Sequence, residues 1–100
     1  MPEPPEFDPV LLSPARLGVV AALLARGSAP FPELKGLLGL TQGNLGAHLR
    51  VLEEAGYVEV EKGYDGRRPR TTCRLTAAGR RALERHVARL EAILRRAGRG

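Results

Sequence analysis

One hundred residues give one domain with a modest core, and 43% apolar content is that of a globular chain rather than a disordered one. The longest apolar run, Leu17 to Ala25, is nine residues, far short of the ~20 that span a membrane. The acidic start lacks the basic residues of a signal peptide, and a lone cysteine forms no internal disulfide, which fits a cytoplasmic protein. Residues 1–61 set four cations against eight carboxylates, and residues 62–100 set twelve against three. The basic second part suggests a polyanion as partner.

Residues 1–12 open with Pro2, Pro4, Pro5 and Pro9 among three carboxylates, an extended arm until Phe7, Val10, Leu11 and Leu12 offer something to bury. Ser13-Pro14 is an N-cap followed by proline at the first helical position, so a helix is expected to about Arg26, stopping at Gly27. Its stripe Leu17, Val20, Ala21 and Leu24 reads as the core face. Val19 and Leu23 lie on a second face that a lone domain would leave wet. Ser28 to Pro30 has room for only a very short strand.

A brief helix over Pro32 to Leu38 carries Leu34, Leu37 and Leu38, with Phe31 placed to staple its start. Gly39-Leu40 turns the chain into the stretch that dominates the sequence, Thr41 to Gly56. Thr41 is an N-cap, Leu45, Leu49 and Leu52 share one face, and Gly56 sits where a left-handed residue ends a helix. The opposite face carries Gly43, Ala47, Arg50 and Glu54, flanked by Asn44 and Val51. It is flat and polar, as if presented to a partner. Two helices joined through a glycine turn have the helix-turn-helix outline.

After Gly56 the period falls to two. Val58 and Val60 alternate with charges, and Thr71, Cys73 and Leu75 alternate with Arg70, Thr72 and Arg74, which predicts a hairpin whose turn is Lys62 to Pro69. Thr76 caps a last helix over Ala77 to Ala97. Along it Leu83, Val87, Leu90, Leu94 and Ala97 step by heptad spacing, widened by Ile93. Together with Val19 and Leu23, the residues Leu83, Val87, Leu90, Ile93 and Leu94 form the expected interface of a homodimer.

Leu40 to Val58, with Arg67-Arg-Pro-Arg-Thr-Thr72 and Leu75-Thr-Ala-Ala-Gly-Arg80, resembles small single-domain winged-helix transcriptional regulators related to the MarR and ArsR families. The resemblance covers about residues 8 to 95. It implies an α+β, mainly helical fold: a winged helix-turn-helix with a three-helix core, a two-stranded wing hairpin and a long C-terminal dimerisation helix. The divisions expected are an arm at 1–12, the DNA-binding domain at 13–75 and the dimerisation helix at 76–100. The family's recognition helix falls on Thr41–Ala55, its wing on Lys62–Arg70 and its Leu-Thr-x-x-Gly element on Leu75–Gly79. MarR-type proteins usually add an N-terminal helix above a ligand pocket. A short Pro-rich arm stands there in this chain, so that aromatic-ligand site is not expected.

A helix fits the major groove, and side chains near its N-terminus reach base edges. Thr41, Gln42, Gly43, Asn44, Ala47, His48, Arg50 and Val51 are therefore the candidate recognition residues. Gln42 and Asn44 are the base readers, and Arg50 contacts a base or a phosphate. His48 reads either as a packing residue or as a DNA contact. Lys62, Tyr64, Arg67, Arg68 and Arg70 on the wing enter the minor groove or straddle phosphates. Arg81, Arg85, Arg89 and Arg96 read as a solvated face.

The chain has no Gly-rich phosphate loop, no carboxylate pair in an apolar setting, and no metal-ligand spacing among Cys73, His48 and His86. The expectation is no enzyme, no cofactor and no metal. Cys73 reads as a buried strand residue and His86 as a neighbour of the dimer seam. The expected partner is double-stranded DNA bearing a pseudo-palindromic operator, with no membrane partner. The alternative is a winged helix docking other proteins in a larger assembly, although such modules often lose the basic wing and recognition amides present here.

Overall fold

The computed structural model describes residues 6–98. Its elements run α1 (Pro14–Arg26), β1 (Ser28–Pro30), α2 (Phe31–Leu38), α3 (Gln42–Glu54), β2 (Val58–Asp65), β3 (Arg68–Leu75) and α4 (Ala77–Gly98), after a short 3-10 turn at Pro9–Leu12. Three helices pack around one core with a three-stranded antiparallel sheet of order β1-β3-β2, and α4 leads away from it. The molecule is accordingly long, 59 × 24 × 21 Å. This is the winged helix-turn-helix expected.

Local chemistry sets each boundary. Ser13 accepts the Arg16 N–H at 3.3 Å and Pro14 opens α1, as the cap-plus-proline signal predicts. Gly39, at φ 63, closes α2 and returns the Leu40 N–H to the Lys35 carbonyl at 3.1 Å. Only three residues separate α2 from α3. At the far end of α3 the Tyr57 N–H reaches Leu52 O at 2.9 Å and the Gly56 N–H reaches Glu53 O at 3.0 Å, with Gly56 at φ 80. That pair of bonds around a left-handed glycine is a Schellman motif.

The proline-rich arm departs from expectation. Asp8 accepts the Val10 N–H at 3.0 Å and Pro9 follows it, which nucleates the 3-10 turn. Leu11 then enters the core at 1% exposure. Residues 1–5, including Pro2, Pro4 and Pro5, lie outside the described residues.

The core face of α1 also differs. Val19, Val20 and Leu23 are fully buried, whereas Leu24 is 40% exposed and Ala21 is exposed. α1 is packed by α2, α3, α4, β1, β3 and the 3-10 turn, so the fold buries the side that a two-layer helix would leave wet. Val19 and Leu23 therefore have no surface to offer a second copy.

The hairpin is longer than the alternation suggests. The ladder continues past Val60↔Cys73 to Asp65↔Arg68, leaving Gly66 and Arg67 as a two-residue turn. Gly66 has φ 66 and Arg67 a negative φ, the pattern of a type II′ turn with glycine at its first central position. Pro69 is tolerated in β3 because it lies beyond Thr72, the last position reached by β1, so its missing N–H has a free edge to face.

α4 is rooted rather than appended. Thr76 caps it, accepting the Gly79 N–H at 3.0 Å, and the Thr76 hydroxyl donates to Gly56 O at 2.6 Å. The Thr76 N–H also bonds Tyr57 O at 3.0 Å. A Cβ on Gly79 would collide with that same Tyr57 carbonyl and with the Leu75 side chain, so the glycine of the Leu-Thr-x-x-Gly element permits the close approach. Ala82, Leu83 and His86 are buried, so the first part of α4 packs into the same core as α1 to α3 and the sheet, across the expected division at residue 76. Leu83 thereby leaves the interface set, because its surface is spent within its own chain. Val87, Leu90, Ile93 and Leu94 remain exposed, Leu94 at 68%.

Candidate nucleic-acid interface

Leu45, Leu49 and Leu52 hold α3 to the core, which turns Gln42, Gly43, Asn44, Ala47, Arg50 and Val51 outward, all exposed. Thr41 is exposed too, but its hydroxyl oxygen is occupied by the Asn44 N–H at 3.1 Å. That cap leaves the N–H groups of Gln42 and Gly43 pointing from the positive end of the helix dipole. Among the described residues, nothing beyond the adjoining helix backbone and chain neighbours lies within 4 Å of where a Cβ on Gly43 or Gly46 would sit. The bareness of this surface is therefore not imposed by packing inside the protein. Among the described residues the side chains of Gln42, Asn44 and Arg50 make no hydrogen bond.

Every residue from Glu61 to Arg70 is exposed, Tyr64 at 78%. Opposed residues share a face of a hairpin. Register thus puts Lys62 with Thr71 and Tyr64 with Pro69 on one side, and Gly63 with Arg70 and Asp65 with Arg68 on the other. The wing cations do not act as one cluster: Arg68 and Arg70 face one way, Lys62 the other, and Arg67 occupies the turn. Asp65 reaches Arg70 at 3.5 Å, an exposed pair of small worth. Lys62, Arg67 and Arg68 take part in no ion pair among the described residues. Arg74, by contrast, is held by Glu61 at 3.1 Å and Glu59 at 3.9 Å on the outer face of the sheet.

Between wing and helices runs an open groove of about 440 Å³, lined by Pro30, Phe31, Lys35, Gln42, Arg68 and Arg70 among others. It joins the start of α3 to the β3 strand of the wing. Lys35, which is not among the expected binding residues, belongs to this surface.

On the opposite edge of α3 lies a contact that nothing local in the sequence announces. Arg16 donates through Nε to the Val10 carbonyl at 2.7 Å, and its Nη1 stands 3.4 Å from His48 Nδ1. His48 is half-buried, between the two readings the sequence allows.

Three further groups support this surface without joining it. Cys73 is fully buried, and burial, aided by Glu53, pushes its thiol up to about 11. It is a packing residue, as its strand position suggests. His86 packs within its own chain: it is 5% exposed, with Nδ1 unpartnered among the described residues. The Phe7 ring lies against it, centroids 5.3 Å apart and planes tilted by 60°. The Tyr57 hydroxyl donates to Asp8. That bond, then burial and the Asp8 charge, raise the phenol above its usual 10.0, against a smaller opposing effect of Arg85.

The family model for the winged helix DNA-binding domain matches residues 15–94. A solved transcriptional regulator homologue from Pyrococcus horikoshii is 40% identical, with TM-score 0.80 over 85% of this chain and 84% of that one. A MarR-family regulator from Silicibacter pomeroyi is 30% identical, with TM-score 0.66 over 91% of this chain and 60% of that one. The M. tuberculosis regulator MOSR, solved in complex with DNA, is 26% identical, with TM-score 0.69 over 89% and 63%. These are transcriptional regulators, a non-enzymatic class.

Proposed function

Because the chain belongs to the winged helix DNA-binding domain family, we propose that it is a sequence-specific transcriptional regulator binding double-stranded DNA as a homodimer. The observation that carries this reading is the outward face of α3: thin at Gly43 and Ala47, flanked by amides that have no partner among the described residues, and led by N–H groups left open at its start. A helix presented this way enters the major groove, and an amide of Gln42 or Asn44 pairs with adenine N6 and N7. Arg50, midway along the same face, meets a phosphate or a base edge. The wing lies on the adjacent backbone or minor groove, Arg67 leading at the turn and Arg68 and Arg70 following along the groove they share with Gln42.

The exposed stripe Val87, Leu90, Ile93 and Leu94 supports pairing through the distal half of α4. Apolar surface buried there contributes about 25 cal/mol per Å². A two-fold dimer places two copies of α3 about one helical turn of DNA apart, on a pseudo-palindromic operator. A DNA partner and a single cysteine suit a cytoplasmic location.

Selection of bound duplexes from a random pool tests the reading. An inverted repeat should be enriched, and Gln42→Ala or Asn44→Ala should relax preference at particular base pairs, by about 1–3 kcal/mol each. Enrichment of no sequence would refute sequence-specific recognition.

A further inference from the structure

We propose that Arg16 and His48 form a phosphate seat for one strand of the bound duplex, on the edge of α3 away from the wing. This rests on the DNA-binding reading above and adds to it a residue outside both recognition helix and wing.

Arg16 stands in the first turn of α1, which contains no acidic residue. Cations are disfavoured at that end of a helix and anions favoured. A carboxylate would normally answer such a charge, yet among the described residues none lies within ion-pair distance of Arg16. Asp8, the acid of the neighbouring turn, is engaged by the Val10 N–H and the Tyr57 hydroxyl instead. The guanidinium is nonetheless fixed in place, its Nε bound to Val10 O at 2.7 Å. A positive group held still at a positive helix end, with no counter-ion among the described residues, attracts an anion.

His48 completes the donor set. Arginine carries only donors and keeps its charge, so its contact with His48 Nδ1 requires that nitrogen to accept. That arrangement assigns the ring proton to Nε2. What the pair offers outward is the Nε2–H of His48 and the remaining N–H groups of Arg16, donors without an acceptor among them. That suits a phosphodiester oxygen, which only accepts, and phosphates take the larger share of such contacts.

Placement agrees. At 3.6 residues per turn, His48 follows Asn44 by one turn and precedes Val51 by nearly one, along a single edge of α3. Gln42 lies on the other edge, in the groove with Lys35, Arg68 and Arg70. The recognition helix is thus flanked by cations along both edges, as a helix between two phosphate strands requires.

The experiment measures log K against log salt for wild type, Arg16→Ala and Arg16→Gln on a selected operator, with Arg67→Ala/Arg68→Ala beside them. Nitrogen-15 NMR of His48 in the free protein reports the tautomer. The seat predicts that both Arg16 variants weaken binding to all duplexes alike and lower the slope by about 0.9. It also predicts an Nε2–H tautomer in wild type that Arg16→Ala releases into a mixture. Arg16→Gln keeps a donor for Val10 O, so equal slopes in the two variants show that charge rather than folding is lost. Unchanged slopes in both, with a reduced slope for the wing variant, would remove the seat and leave the DNA reading standing. Loss of base preference at constant slope would make Arg16 a positioning residue and overturn the seat. Absence of any DNA binding by the wild type would overturn both.

Discussion

Two glycines in α3 allow a matched pair of substitutions of which only one should affect DNA binding. Gly43 is the second residue of the helix and Gly46 the fifth, and a Cβ at either meets nothing within 4 Å. Alanine at a helical glycine stabilises by about 0.5–1 kcal/mol, Gly43 at the lower end because the first turn is less constrained. For a domain of this size each kcal/mol raises the melting temperature by about 4–8 °C, so both variants should melt a few degrees higher. Their binding should diverge. Gly43 lies on the exposed face one turn before Ala47, beside the free N–H groups of the first turn. A methyl there stands between backbone and groove. If it removes one hydrogen bond to a charged or polarised acceptor, about 1.5–3 kcal/mol is lost, on the order of tenfold to a hundredfold in Kd. Gly46 is half-buried and turned toward the core edge, so Gly46→Ala should bind as wild type. Circular dichroism melts and fluorescence anisotropy on one operator at one salt concentration decide the matter. A Gly43→Ala protein that melts higher and keeps full affinity would refute close approach and leave the glycine as a feature of composition.

The wing should carry salt-dependent, sequence-independent affinity: Arg67→Ala with Arg68→Ala lowers the slope of log K against log salt by about 0.9 for each phosphate no longer neutralised, and an unchanged slope would take the wing off the backbone. Leu90→Asp should yield a monomer by light scattering at micromolar concentration; wild type that is already monomeric there would end the dimer proposal. The Tyr57–Asp8 bond has a pH signature. Because the folded phenol titrates above its usual 10.0, the bond stabilises fully below pH 10 and is lost as pH rises through the raised value. Urea denaturation should show Tyr57→Phe less stable than wild type near neutrality and the gap narrowing above pH 10; a gap independent of pH would contradict it.

Much of the fold is legible because its signals are local. The Ser13-Pro14 start, the Thr41 cap and the Leu45-Leu49-Leu52 stripe each need only a few neighbouring residues, and each marks its element correctly. Asp8-Pro9 repeats the cap-and-proline signal of Ser13-Pro14, so the 3-10 turn is readable in principle, but the surrounding prolines obscure it. α1 is harder in kind. Leu17 to Ala25 is apolar nearly all round, so periodicity allows two stripes, and the choice falls to elements as distant as α4 and β3. The hairpin ends are hidden by Gly63 and Pro69, which discourage strands in general and are harmless on a ladder free at one edge. Of the candidate site, the face of α3 and the exposure of the wing follow from pattern alone. The separation of Lys62 from Arg68 and Arg70 depends on register, and the meeting of Arg16 with His48 spans 32 positions. No short window along the chain contains both.

The junction below α4 bears on how operator preference would evolve. Thr76 grips Gly56 and Tyr57, and Gly79 lies against the Tyr57 carbonyl, so the foot of α4 is clamped to the residues that end α3. In a dimer joined by the distal helices, turning one α4 against its twin must swing both reading heads as solid arms, with no slack at the joint. Half-site sequence and half-site spacing would then be inherited separately, the first from α3 and the second from the crossing of helices beyond Val87. Exchanging only the segment after Val87 between related proteins should alter the gap in the operator and leave its letters unchanged.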